Sequence, residues 1–64
     1  MLHGDFKIGL VFECGGRQWT CTDVGTRVII AVLTEELALN PGGPPYSIKE
    51  DVFDEYDFQS CHLR

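Results

Sequence analysis

Two adjacent glycines, Gly15 and Gly16, constrain this chain more than any other feature. Before them apolar residues alternate at Phe6, Ile8, Leu10 and Phe12, and after them comes a second run, Arg17 to Asp23, carrying Trp19 and Cys21. A period of two marks a strand with one buried face. A Gly-Gly pair between two such runs suits a two-residue hairpin loop, because both central positions can take positive φ without a Cβ clash. The expected hairpin, Phe6 to Glu13 with Arg17 to Asp23, sets Cys14 opposite Arg17, Phe12 opposite Trp19 and Leu10 opposite Cys21.

A second turn is expected at Asp23, Val24 and Gly25, followed by Thr26 to Leu33. The centre of that run, Val28 to Val32, is apolar without interruption, the pattern of a central strand covered on both faces. A two-residue loop would place Val28 and Ile30 beside Cys21 and Trp19 but force β-branched Val24 toward positive φ. A three-residue loop with Gly25 in the left-handed position avoids that strain and brings Ile29 to Trp19, and this is the favoured register.

Thr34 can cap one helical turn through Glu35, Glu36 and Leu37, after which Asn40, Pro41, Gly42, Gly43, Pro44 and Pro45 end regular structure. Tyr46 and Ile48 suggest a fourth strand, Val52, Phe53, Tyr56 and Phe58 can cover the open side of the meander, and Asp54 to Asp57 reads as a tight turn or 3-10 segment. A last strand near Ser60 to Leu63 completes the expectation. The fold class is mainly β, a small five-stranded antiparallel SH3-like barrel with a short helical or 3-10 turn, residues 1–64 forming a single domain. Its expected core is Phe6, Ile8, Leu10, Phe12, Trp19, Ile29 or Ile30, Phe53 and Phe58. With 64 residues there is little core to lose, since so small a domain buries only about 60% of its unfolded surface.

Ten acidic residues against five basic ones give a net charge of −5, which repels phosphate and argues against direct nucleic-acid binding. Glu50, Asp51, Asp54, Glu55 and Asp57 form the one dense acidic cluster, interrupted by Val52, Phe53 and Tyr56. Its spacing is not that of an EF-hand loop and it holds no turn glycine. Two readings stand: a solvated face, or a surface for a protein partner in which these carboxylates present phosphate-like charge around aromatic anchors, Tyr46, Tyr56 and Phe58. The partner would carry a basic surface. No nucleophile, base or metal-ligand spacing points to catalysis, a metal or a cofactor, so the chain is expected not to be an enzyme. His3 and His62 are expected to be exposed near the termini.

Cys14, Cys21 and Cys61 are an odd number without zinc or redox-motif spacing and are expected as reduced, partly buried thiols, any disulfide being intermolecular. No run approaches the roughly 20 apolar residues of a membrane span and the start lacks a signal-peptide pattern, so the expected location is cytoplasmic, as a monomer or small homo-oligomer.

Arg17, Trp19, the Thr22 to Arg27 turn, the Gly43-Pro44-Pro45-Tyr46 stretch and Val52 to Asp57 together resemble a family of short uncharacterised bacterial proteins. The resemblance implies a shared compact fold and brings no activity, ligand or catalytic residue. In size, acidity and lack of catalytic machinery the chain also resembles small phage and mobile-element inhibitors of bacterial defence, including anti-CRISPR proteins, some of which imitate DNA. That likeness implies an acidic module blocking a basic surface of a defence complex. The alternative is a regulatory or accessory subunit that binds through its apolar sheet face.

Overall fold

A computed structural model of the protein describes residues 1–39 and 49–63. A 3-10 turn, His3–Asp5, precedes β1 (Val11–Cys14), β2 (Arg17–Val24), β3 (Ile29–Leu33), α1 (Thr34–Leu39), β4 (Asp51–Phe53), α2 (Glu55–Phe58) and β5 (Cys61–Leu63). The strands make one antiparallel sheet in the order β4-β3-β2-β1-β5. The protein is thus mainly β with short helices, and its sheet is not closed: β4 and β5 end it without pairing to each other.

The first hairpin has the expected register, with Cys14 opposite Arg17 and Phe12 opposite Trp19. Gly15 and Gly16 take φ of 63° and 78°, the conformation for which the loop needs glycine. Upstream, the strand is shorter than Phe6 to Glu13. Gly9, at φ 92°, donates its N–H to the Cys21 carbonyl while the Cys21 N–H donates to Leu10, both at 2.8 Å. Two residues therefore face one, as in a glycine β-bulge, and the alternation breaks there. Phe6 and Phe12 stay buried, Leu10 is half-buried, and Ile8, expected in the core, is 68% exposed.

The second hairpin departs from the expected register. Trp19 pairs with Leu33 rather than Ile29, Cys21 with Ala31, and Val24 with Ile29, so β2 runs on through Val24 and the loop spans 25–28. Gly25 does not take positive φ; its N–H donates to the Val28 carbonyl at 2.8 Å. The offset of four positions comes from the turn lying further along the chain, at 25–28; within β2, Thr22 is in addition an extra residue, a bulge between Cys21 and Asp23. That bulge shifts the parity of the strand, so Cys21 is buried and Val24 packs against the core while charged Asp23 is exposed. β3 is fully covered on one face, where Ile29 and Ala31 are buried, and in part on the other, where Val32 is buried and Ile30 half-buried.

The core is a chain of rings. Phe58 meets Phe6 (centroids 4.8 Å apart), Phe6 meets Phe12 (5.1 Å), Phe12 meets Phe53 (5.5 Å) and Phe53 meets Trp19 (4.9 Å). Trp19, expected in the core, is half-buried, and its indole N–H donates to the Cys14 carbonyl at 3.1 Å. The Phe12–Phe53 contact shows how far the sheet bends. β1 and β4 stand three strands apart, about 14 Å in a flat sheet, so their inner rings can touch only if the sheet curls strongly.

Two helical readings change. Thr34 opens α1, but its hydroxyl lies 2.8 Å from that of Thr20. Asp54 to Asp57, read as a tight or 3-10 turn, instead starts the α-helical turn α2. Val52 and Phe53 form the edge strand β4; the strand expected around Tyr46 and Ile48 lies outside the described residues. Among the described residues no helix is long and apolar enough to cross a membrane.

Candidate protein-binding surface

The acidic cluster divides in two by role, because Asp54 and Asp57 are committed to building α2. Oδ1 of Asp54 accepts from the N–H groups of Tyr56 (3.0 Å) and Asp57 (3.1 Å), and Oδ2 of Asp57 accepts from the Asp54 N–H at 3.1 Å. This reciprocal box satisfies donors that a helix start otherwise leaves unpaired, and it places negative charge where the helix dipole favours it. Asp54→Ala is expected to lower stability by about 1–2 kcal/mol and Asp54→Ser by much less, read from the midpoint of denaturant unfolding. Equal losses would show that charge, and not capping, is what Asp54 supplies.

The other acids are placed differently. Glu50, just before β4, accepts a 3.3 Å hydrogen bond from the Thr22 hydroxyl, and half-buried Asp51 lies 3.9 Å from the Lys49 ammonium. Glu55 is exposed on the first turn of α2, and Tyr56 beside it is 74% exposed. Among the described residues neither Asp54, Glu55 nor Asp57 forms an ion pair. Phe58, expected as an aromatic anchor, is buried in the core and unavailable. Tyr46 lies outside the described residues.

Two adjoining depressions flank α2. One, of about 420 Å³, lies among Met1, Leu2, His3, Thr26, Arg27, Glu55, Phe58 and Gln59, and the other, of about 260 Å³, among Arg27, Val28, Asp54, Glu55 and Tyr56. Arg27 and Glu55 line both. His3, expected exposed, is half-buried: its Nε2 donates to the Gly25 carbonyl at 2.7 Å and its ring lies 6.1 Å from Phe58. That bond ties the N-terminal segment to the β2–β3 loop and so holds Arg27 beside α2. The sequence reading missed Arg27, since only the packing of distant segments brings this loop residue to the acidic turn. A third depression, about 510 Å³, is lined by Gly16, Arg17, Gln18, Leu33, Thr34 and Glu35 and crossed by an Arg17–Glu35 ion pair. Both partners are well exposed, so the pair contributes little to stability.

All three cysteines are free, Cys21 and Cys61 buried and Cys14 half-buried. Among the described residues no group of three or more His, Cys, Asp or Glu side chains is placed to hold a metal ion. No family model, curated protein or solved structure matches the chain.

Proposed function

We propose that the protein is a small acidic binding module that docks α2 and its flanks onto a basic surface of a protein partner. One observation carries the reading: Tyr56, 74% exposed, stands on a helical turn among Asp54, Glu55 and Asp57, which form no ion pair among the described residues. Exposed tyrosine is a favoured interface anchor, and two of its neighbouring carboxylates are already fixed by capping, so little side-chain freedom is lost on docking. Glu50 and Asp51 extend the negative field toward the β4 edge. A nucleic-acid-binding channel is the kind of basic surface such a field attracts, which makes the module an imitator of nucleic acid and an inhibitor in the manner of small anti-defence proteins. The strand order, the strong curl and the carriage of the chain by α2 from one sheet edge to the other support an SH3-like barrel, partly open, as the scaffold.

The test uses residues outside the capping box. Wild-type protein and a Glu55→Lys, Tyr56→Ala variant are used to retrieve partners from host extract, and association is then followed at rising salt. Wild-type association is expected to slow at least tenfold as the Debye length falls from about 10 Å at 0.1 M to about 3 Å at 1 M, and the variant to associate slowly at every salt while remaining folded. Equal retrieval by both proteins, salt-indifferent binding, or direct binding of nucleic acid by the wild type would each overturn the proposal.

A further inference from the structure

Cys14 and Cys61 lie far apart in sequence, but the fold sets them directly opposite each other on β1 and β5. The kind of pairing follows from the ladder. Cys21 donates its N–H to the Leu10 carbonyl, and hydrogen-bonded pairs recur at every second position, so Phe12–Trp19 and Cys14–Arg17 are hydrogen-bonded pairs too. A strand residue turns its N–H and C=O to the same side. Those of Cys14 face β2, which makes Cys14–Cys61 a non-hydrogen-bonded pair, with Cα atoms about 4.5 Å apart and side chains drawn close. The Cys61 carbonyl agrees, accepting from the Met1 ammonium at 3.4 Å. Both thiols also point at one acceptor, the Asp57 carbonyl, 3.2 Å from Sγ of Cys61 and 4.0 Å from Sγ of Cys14.

We propose that Cys14 and Cys61 are a thiol–disulfide site, a reversible latch that fastens β5 to β1 when the pair is oxidised by a disulfide such as oxidised glutathione. The expected Cα separation falls within the range of about 4.4–6.8 Å that a disulfide spans without moving the backbone. Cys21 is excluded, because it sits four residues beyond Arg17 on β2, about 13 Å along the strand from the Cys14 pairing position. Half-buried Cys14 is the point of entry. Its thiolate attacks one sulfur of glutathione disulfide, giving a mixed disulfide and releasing one glutathione thiolate. Cys61 gives up its proton to water and attacks the Cys14 sulfur, expelling the second glutathione. Two protein thiols and one glutathione disulfide become one protein disulfide and two glutathione thiols, so two electrons and two protons pass to glutathione. Burial raises the Cys61 thiol and still does so once Cys14 carries glutathione, which makes this second step the slow one. Three residue pairs join β5 to β1, so the bond would secure an edge otherwise held by a short ladder.

Trypsin separates the three cysteines, placing Cys14 on peptide 8–17, Cys21 on 18–27 and Cys61 on 50–64. The full chain is equilibrated in glutathione buffers of rising oxidised fraction, quenched with acid and alkylating agent, and mapped by mass spectrometry without reduction. The expected product is a monomer lacking two hydrogens in which 8–17 is joined to 50–64. It should form equally in a Cys21→Ser variant, return to the thiols with excess reduced glutathione, and melt roughly 10–20 °C above the reduced protein. A bridge to peptide 18–27, a disulfide-linked dimer, persistent glutathione on Cys14, no oxidation, or an unchanged or lower melting temperature would overturn the proposal.

Discussion

Phe12→Ala is expected to leave the chain largely unfolded at room temperature. Phe12 is fully buried, and its ring meets Phe6 edge-on at 5.1 Å on one side and Phe53 at 5.5 Å on the other, tying the N-terminal segment and the far edge strand to the middle of the sheet. Truncating a buried phenylalanine costs about 3–5 kcal/mol, and each aromatic pair adds about 0.5–1.5 kcal/mol beyond buried area. A domain of this size has about 3–10 kcal/mol of stability in total. The loss is therefore comparable with the whole. Ile8→Ala is the matched control: both residues lie in the same alternating run, but Ile8 is 68% exposed and its truncation is expected to change stability by no more than about 0.5 kcal/mol. Urea unfolding followed by Trp19 fluorescence and far-ultraviolet circular dichroism measures both. Similar costs for the two variants would mean that the first strand runs straight through Gly9 and that the core is built differently.

That contrast shows where the fold was legible. The first hairpin depends on neighbours in sequence, so Gly15 and Gly16 announced it. Its upstream limit was also written locally: Gly9 interrupts a strand pattern, which often marks a bulge, but the regular alternation of Phe6, Ile8, Leu10 and Phe12 concealed it. The Thr22 bulge has no such mark. It is chosen because it takes Val24 inward and Asp23 outward at once, a balance settled by packing across three strands. The candidate site divides in the same way. Asp54 and Asp57 are spaced three apart, the capping-box interval, and their structural role could have been found in the sequence. The meeting of Arg27, Glu55 and the N-terminal segment could not, because it requires the β2–β3 loop and α2 to be placed first. The facing of Cys14 and Cys61 follows only once β5 is known to pair with β1.

Alkaline pH is expected to destabilise the reduced protein sharply, and Cys61 is the principal cause. The residue is 2% exposed; burial raises its thiol first, the Cys14 thiol and the Asp57 charge act in the same direction, and the Met1 ammonium opposes them. The folded chain holds this proton up to about 12, whereas the unfolded chain releases it near the ordinary value of 9.0. Between those limits the unfolded state binds fewer protons than the folded one, so stability falls as pH rises. It is fully present below about pH 9 and lost through about pH 12, at up to roughly 1.4 kcal/mol per pH unit. Cys21 is raised chiefly by burial and contributes with the same sign. Solvent relaxation around a thiol so near the sheet edge reduces the total to a few kcal/mol, still a large part of what a small domain has. Urea midpoints measured under reductant from pH 8 to 11 should therefore fall steeply for the wild type and less steeply for Cys61→Ala. The variant starts lower at pH 8, because it leaves a small cavity, and the two curves converge with rising pH. The two proteins differ only at residue 61, so the difference between the curves reports on the Cys61 thiol. Parallel curves would show that the Cys61 thiol ionises as readily in the folded chain as in the unfolded one, and that β5 does not cover it.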